Sequence, residues 1–164
     1  MKVDPHADWA EIFNAARRMH DSPSKPLEGT IRVLAAVVRR DDRYLICQRP
    51  AQKRHGGLWE FPGGKLEEDE TLLAAARREL FEELNVIVTG VERSLFSVAD
   101  PGSDFVIEFV PTTIEGEPTC LEHMALRWLL LDDLFDFPLA PSDQRFAEFL
   151  RATGPRGRGG SDAG

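Results

Sequence analysis

The stretch GKLEEDETLLAAARRELFEELNV, residues 64–86, decides the reading of this chain. It opens on a glycine turn and carries four carboxylates, Glu70, Glu79, Glu82 and Glu83, at fixed offsets from that turn. The last three repeat at helical spacing. With about 100° of rotation per residue, Glu83 falls about 40° from Glu79 on one side and Glu82 about 60° on the other. They share one helix face, and Leu73, Ala76, Leu80 and Leu84 form a neighbouring apolar stripe that anchors the helix to a core. Thr71 is placed to cap this helix, which is expected to end near Leu84. Three like charges on one face repel, at a cost in stability unless a cation neutralises them. Oxygen donors with no Cys or His among them suit Mg²⁺ or Mn²⁺.

Outward from this helix, the pattern predicts an α+β domain. IRVLAAVVRR (31–40) reads as a buried strand, Asp41-Asp42 as a turn and RYLICQR (43–49) as a returning strand. A basic loop (50–57) and the short LWEFPGG run follow. Strands are expected at 86–98, 104–114 and 125–131, and a last helix over 142–151. Ahead of the domain, residues 9–20 predict an amphipathic helix with an Asp8/Glu11 capping box and an apolar stripe of Trp9, Ile12, Phe13 and Ala16. Three regions result: helix and Pro-rich linker (1–29), the domain (30–151) and a Gly-rich tail expected to be disordered (152–164).

A chain of 164 residues with 42% apolar content holds one domain with a real core. Its net charge of −8 argues against a nucleic-acid partner bound through a basic surface, but not against a nucleotide, whose phosphates a metal and a few local cations can handle. Cys47 and Cys120 make neither a metal spacing nor a disulfide framework. With no signal-peptide pattern and no long apolar run, the chain reads as cytoplasmic, without a membrane partner. Oligomeric state is left open.

The 64–86 stretch resembles the Nudix box, G-x5-E-x7-R-E-U-x-E-E-x-G-U with U a bulky aliphatic. Gly64, Glu70, Arg78, Glu79, Leu80, Glu82, Glu83 and Val86 match in register, and Asn85 stands in place of a glycine. The physical demand there is a left-handed residue ending the helix, for which Asn is the next choice after Gly. The resemblance, which covers about residues 31–150, implies a Nudix fold, a mixed sheet sandwiched between helices, with the N-terminal helix as an extra element. It implies hydrolysis of a diphosphate bond with metal on Glu79, Glu82 and Glu83, completed by the carbonyl of Gly63. Arg78 reads as orienting carboxylates rather than holding substrate. Glu70 either reaches the metal through water or has a structural role. EGEPTCLEHMALRW (115–128) is similar to the loop that supplies a further metal-binding glutamate, which falls on Glu122. Either Glu79 or Glu122 could serve as general base. His123 beside it reads as a surface or packing residue.

Within the family, ICQRPAQKRHGGLWEFPGGK (46–65) is similar to the MutT-like branch, which hydrolyses nucleoside triphosphates. That likeness implies a purine-contacting Arg49, an aromatic Phe61 beside the base, substrate contacts at Arg54 and Glu60, and Lys65 next to the phosphates. Asp143, in a late PSD turn, falls on the base-reading position, with capping of the last helix as its competing role. The substrate implied first is 8-oxo-dGTP, then a plain or modified cytidine triphosphate. An ADP-ribose-type activity, suggested by the ADPGSD run around Pro101, and a catalytically silent nucleotide-sensing or protein-binding module are the alternatives.

Overall fold

Strand β1 (Ile31–Val37) explains why the apolar run that starts at Leu34 carries no polar alternation. Leu34, Ala36 and Val38 enter one hydrophobic core and Ala35 and Val37 enter another, so the strand is buried on both faces. The computed structural model of the chain describes residues 29–153. The expected N-terminal helix, nearly all of the linker and residues 154–164 of the tail lie outside the described residues.

After β1 come β2 (Arg39–Arg40), β3 (Arg43–Gln48), β4 (Trp59–Glu60) and β5 (Gly63–Lys65), then α1 (Leu72–Leu84). The chain continues through β6 (Ile87–Val91), β7 (Phe96–Ala99), β8 (Phe105–Glu115) and β9 (Ala125–Leu130) to α2 (Leu131–Leu134) and α3 (Pro141–Thr153). One sheet runs β5-β1-β8-β6, with β7 also on β8; the second runs β2-β3-β4, with β9 on β3. β1 and β8 pair in parallel while the other pairs are antiparallel, so the sheet is mixed, as expected. Helix α1 packs on one side through Ala76, Leu80 and Leu84 against Leu34, Ala36, Leu45 and Val110. Helix α3 packs on the other through Phe146, Ala147 and Leu150, with Phe146 stacked 4.3 Å from Phe109. None of the described helices is long and apolar enough to cross a membrane.

Three expectations are corrected. Residues 31–40 are not one strand: after Val37 the chain changes sheets, β2 pairs with β3, and the Val38 carbonyl accepts from Leu45 N–H at 3.0 Å. Residues 86–98 are two strands on one edge of β8. Glu92 N–H still donates to Pro111 O, but Pro111 has no N–H to return toward that edge, and the ladder breaks there. The run 125–131 ends in a short helical turn, α2, and the LWEFPGG run supplies two short strands, β4 and β5, separated at Pro62.

Candidate active site

Helix α1 begins where Thr71 Oγ1 accepts from Ala74 N–H and ends at Asn85, whose φ of 55° and ψ of 42° are left-handed. Its carboxylates fan out from the core. Glu83 is buried, Glu79 is 14% exposed, and Glu82 is 52% exposed and outside the cleft that the other two line. Glu79 and Glu83 line the cleft together, and Glu82 lies beside them on the solvent side, 3.9 Å from the Arg78 Nη1 that also holds Glu79; among the described residues no three carboxylate, imidazole or thiol groups are already drawn together as a ready set of metal ligands. Like charges keep apart, and Arg78 holds one oxygen of Glu79 at 2.7 Å.

Arg78 acts as a fork. Its Nε and Nη2 meet both oxygens of Glu70 at 2.9 and 2.8 Å, Nη1 reaches Glu79, and Nη2 also donates to the Lys65 carbonyl. The guanidinium, helped by the Glu67 N–H, holds Glu70 down to about 2, so Glu70 sits in a structural ion pair. Burial raises Glu79, partly offset by Arg78. Burial first, then the fields of Glu79, Glu60 and Glu122, push Glu83 up to about 9. The Gly63 N–H donates to Glu83 at 3.2 Å. Both glycines of the β5 turn are demanded by close approach: a Cβ at Gly63 would run into the Leu34 carbonyl and one at Gly64 into the Glu79 carboxylate. Glu122 comes from the loop between β8 and β9. That loop is pinned by Thr119 N–H on Leu84 O, Leu121 N–H on Glu83 O and Met124 N–H on Gln48 O, at 2.9, 2.9 and 3.0 Å. These oxygen donors fit a hard divalent cation, which would relieve the mutual repulsion at Glu83.

The same cleft, a cavity of about 350 Å³, runs from Glu79, Glu83 and Glu122 to Arg49, Phe61 and Asp143. Arg49 donates to Glu60 Oε2 and to the Arg54 carbonyl, both at 2.7 Å. Asp143 lies in the first turn of α3, where its Oδ1 accepts from Phe61 N–H at 2.9 Å. Burial, then the field of Glu60, raises its pKa well above the carboxylate range. Asp143 therefore joins α3 to the segment between β4 and β5, and its carboxylate also accepts from its own N–H in the first turn of α3. Phe61 is 3% exposed, with its ring among Tyr44, Phe109 and Phe146, so it belongs to the cleft floor and does not stand free beside a base. Arg54 lies at the rim, paired with Asp100 at 3.2 Å, and Lys65 Nζ lies 4.8 Å over the Phe105 ring.

The NUDIX domain family model matches residues 30–151. The chain belongs to the Nudix family. It is similar, at 40% identity over 126 residues (74% of this chain and 92% of the relative), to an Escherichia coli protein named CTP pyrophosphohydrolase. Over a shorter stretch of 60 residues, 36% of this chain and 54% of the relative, it is 45% identical to an 8-oxo-dGTP diphosphatase from Proteus vulgaris. The crystal structure of a MutT NUDIX hydrolase from Burkholderia pseudomallei superposes with a TM-score of 0.66 at 30% identity, covering 75% of this chain and 99% of that one. The chain is thus a MutT-like Nudix hydrolase with the Nudix fold, a nucleotide pyrophosphohydrolase.

In this Nudix hydrolase the structure gathers Arg49, Arg54, Glu60, Phe61, Gly63, Gly64, Lys65, Glu79, Glu83, Glu122 and Asp143 around one cleft, and leaves Glu82, Glu70 and Arg78 outside its lining. Asp100 and His123 are among the lining residues that the sequence reading did not assign to the site. Asp100 is buried and binds Arg54, Ser103 and Ser142, which its place in a turn does not reveal. Of the surface and packing readings of His123, packing is the one that holds: its side chain is 4% exposed and its Nε2 lies 3.2 Å from Glu60 Oε1. Its adjacency to Glu122 was the available signal.

Proposed function

We propose that the chain hydrolyses a nucleoside triphosphate to the monophosphate and pyrophosphate, with Mg²⁺ or Mn²⁺ held by Glu79, Glu82, Glu83, Glu122 and the Gly63 carbonyl. The carrying observation is one cavity lined at one end by the carboxylates of Glu79, Glu83 and Glu122 and at the other by Arg49 and Asp143. A divalent cation bound there supplies charge neutralisation of the phosphate oxygens and a lowered pKa for the attacking water. The protein's own groups do the rest. Arg78 fixes Glu79 with one oxygen engaged, leaving the other to take the proton as water oxygen bonds to phosphorus and the bridging oxygen departs. Lys65, exposed at the cleft, provides a point charge for the phosphates.

For the base, Asp143 has Oδ1 taken by Phe61 N–H and a pKa raised by burial, and in its protonated form the carboxyl offers an O–H donor. It suits an acceptor on the base edge, such as the cytosine ring nitrogen or the 6-carbonyl of 8-oxoguanine. The relative named CTP pyrophosphohydrolase, matched over 92% of its length, favours a cytidine triphosphate. The likeness to an 8-oxo-dGTP diphosphatase favours 8-oxo-dGTP as the second reading. The test is pyrophosphate release with Mg²⁺ from CTP, dCTP, 5-methyl-dCTP, 8-oxo-dGTP, dGTP and ADP-ribose. Glu83→Gln is expected to lower turnover by about 10²–10⁴-fold with the fold intact, the scale of losing a principal catalytic group. Asp143→Ala is expected to shrink the kcat/KM ratio between good and poor nucleotides by about 10- to 150-fold. Unchanged turnover in Glu83→Gln, or ADP-ribose as the best substrate by a wide margin, overturns the proposal.

A further inference from the structure

We infer that His123 is a positioning residue that ties the base-reading end of the cleft to the loop carrying Glu122, so that the seating of the base sets the position of Glu122. The inference rests on the triphosphate pyrophosphohydrolase reading and adds to it how selection reaches turnover. An unbroken chain of contacts spans the cleft. Arg49 Nε donates to the Arg54 carbonyl and Nη1 to Glu60 Oε2, both at 2.7 Å. The other Glu60 oxygen, Oε1, meets His123 Nε2 at 3.2 Å. A carboxylate divided between two partners moves when either moves. Glu60 accepts only, so the imidazole N–H on Nε2 donates to it.

The other ring nitrogen of His123, Nδ1, is enclosed and meets no hydrogen-bond partner, so Nε2 is the nitrogen that holds the ring. Enclosing an unpartnered polar atom costs stability. An apolar side chain would fill the same space without that cost, so packing does not account for the imidazole. The loop itself has separate anchors in the main-chain bonds of Thr119, Leu121 and Met124, which run to α1 and β3. His123 instead runs from the residue after Glu122 to the Glu60–Arg49 pair. Removing it leaves the loop attached and cuts its link to the base end.

Steady-state kcat and KM with Mg²⁺ on CTP, 8-oxo-dGTP and dGTP test this in the full chain, its His123→Ala, His123→Gln and Glu60→Ala variants and the His123→Ala/Glu60→Ala double variant. His123→Ala is expected to lower kcat about tenfold for the best nucleotide with little change in KM, and to affect the poorest less, so that selectivity contracts about tenfold. His123→Gln, whose amide N–H can donate to Glu60, is expected to recover most of the loss. Glu60→Ala removes the acceptor of both Arg49 and His123 and is expected to contract selectivity at least as much, and the double variant is expected to be little worse than Glu60→Ala alone. Should His123→Ala fail to fold, the contrast between His123→Gln, which keeps the link, and Glu60→Ala, which breaks it, decides the same question. An equal loss on every nucleotide accompanied by a lower Tm, no recovery in His123→Gln, or additive losses in the double variant overturns the inference. If the parent chain hydrolyses no nucleoside triphosphate, the proposed function itself fails, a result separate from all of these.

Discussion

A carboxyl group as enclosed as Asp143 binds its proton more tightly in the folded chain than in the unfolded one, where its value is near 3.8. With the folded pKa above the unfolded pKa, the folded state holds more protons between the two, and stability falls as pH rises through that window. Asp143→Asn keeps an oxygen that accepts from Phe61 N–H and carries no charge. It is expected to be at least as stable as the parent at pH 8, with the difference shrinking toward pH 4, in urea titrations with EDTA present. A parent clearly more stable than the Asn variant at pH 8 would show Asp143 folded in its charged form. Asp143→Ala leaves a buried N–H unpaired and is expected to lose about 1–3 kcal/mol at both pH values. The sequence places Asp143 at the base end but not on Phe61, because a bond between residues 82 apart leaves no local mark. Arg78 was more legible, since it lies one residue before Glu79 and one helical turn before Glu82, whereas its fork on Glu70, outside the helix, left no periodic mark.

Helix α1 was readable at both ends because caps are local chemistry: Thr71 three residues before Ala74, and a left-handed Asn85 whose N–H bonds to Phe81 O. Asn85→Gly is expected to be neutral or slightly stabilising. Asn85→Val is expected to lose about 1–2 kcal/mol, because a β-branched residue resists positive φ. Thermal melts compare them, and equal Tm values would contradict the strain argument. The strands were less readable for an identifiable reason. The apolar run 31–40 shows that both faces are covered, but not that its last residues leave for a second sheet. The break between β6 and β7 depends on Pro111 in a strand across from them, and nothing within 86–98 announces it. β4 and β5 are too short to show a period, although the close approach of Gly63 and Gly64 depends on them.

At the scale of the molecule, specificity and stability share one core. Phe146 of α3 stacks on Phe109 of β8, contacts Phe61 at 5.2 Å, and lies one helical turn from Asp143. Phe146→Ala is expected to lose about 3–5 kcal/mol. Because it loosens the docking of α3, it is expected also to narrow the kcat/KM ratio between nucleotides, whereas Phe146→Leu is expected to do less of both. Denaturation curves read beside the nucleotide panel check this, and a destabilised Phe146→Ala with parental selectivity would separate the two properties. The parallel pairing of β1 with β8 has a further consequence, for synthesis. Ile31 must wait for Phe105 and Phe61 must wait for Asp143, while α1 with its carboxylates leaves the ribosome well before either partner. A chain interrupted before Phe105 therefore carries the acidic helix without β8, and one interrupted before Asp143 carries it without the helix that bonds Phe61, so an unfinished copy lacks part of the cleft's lining.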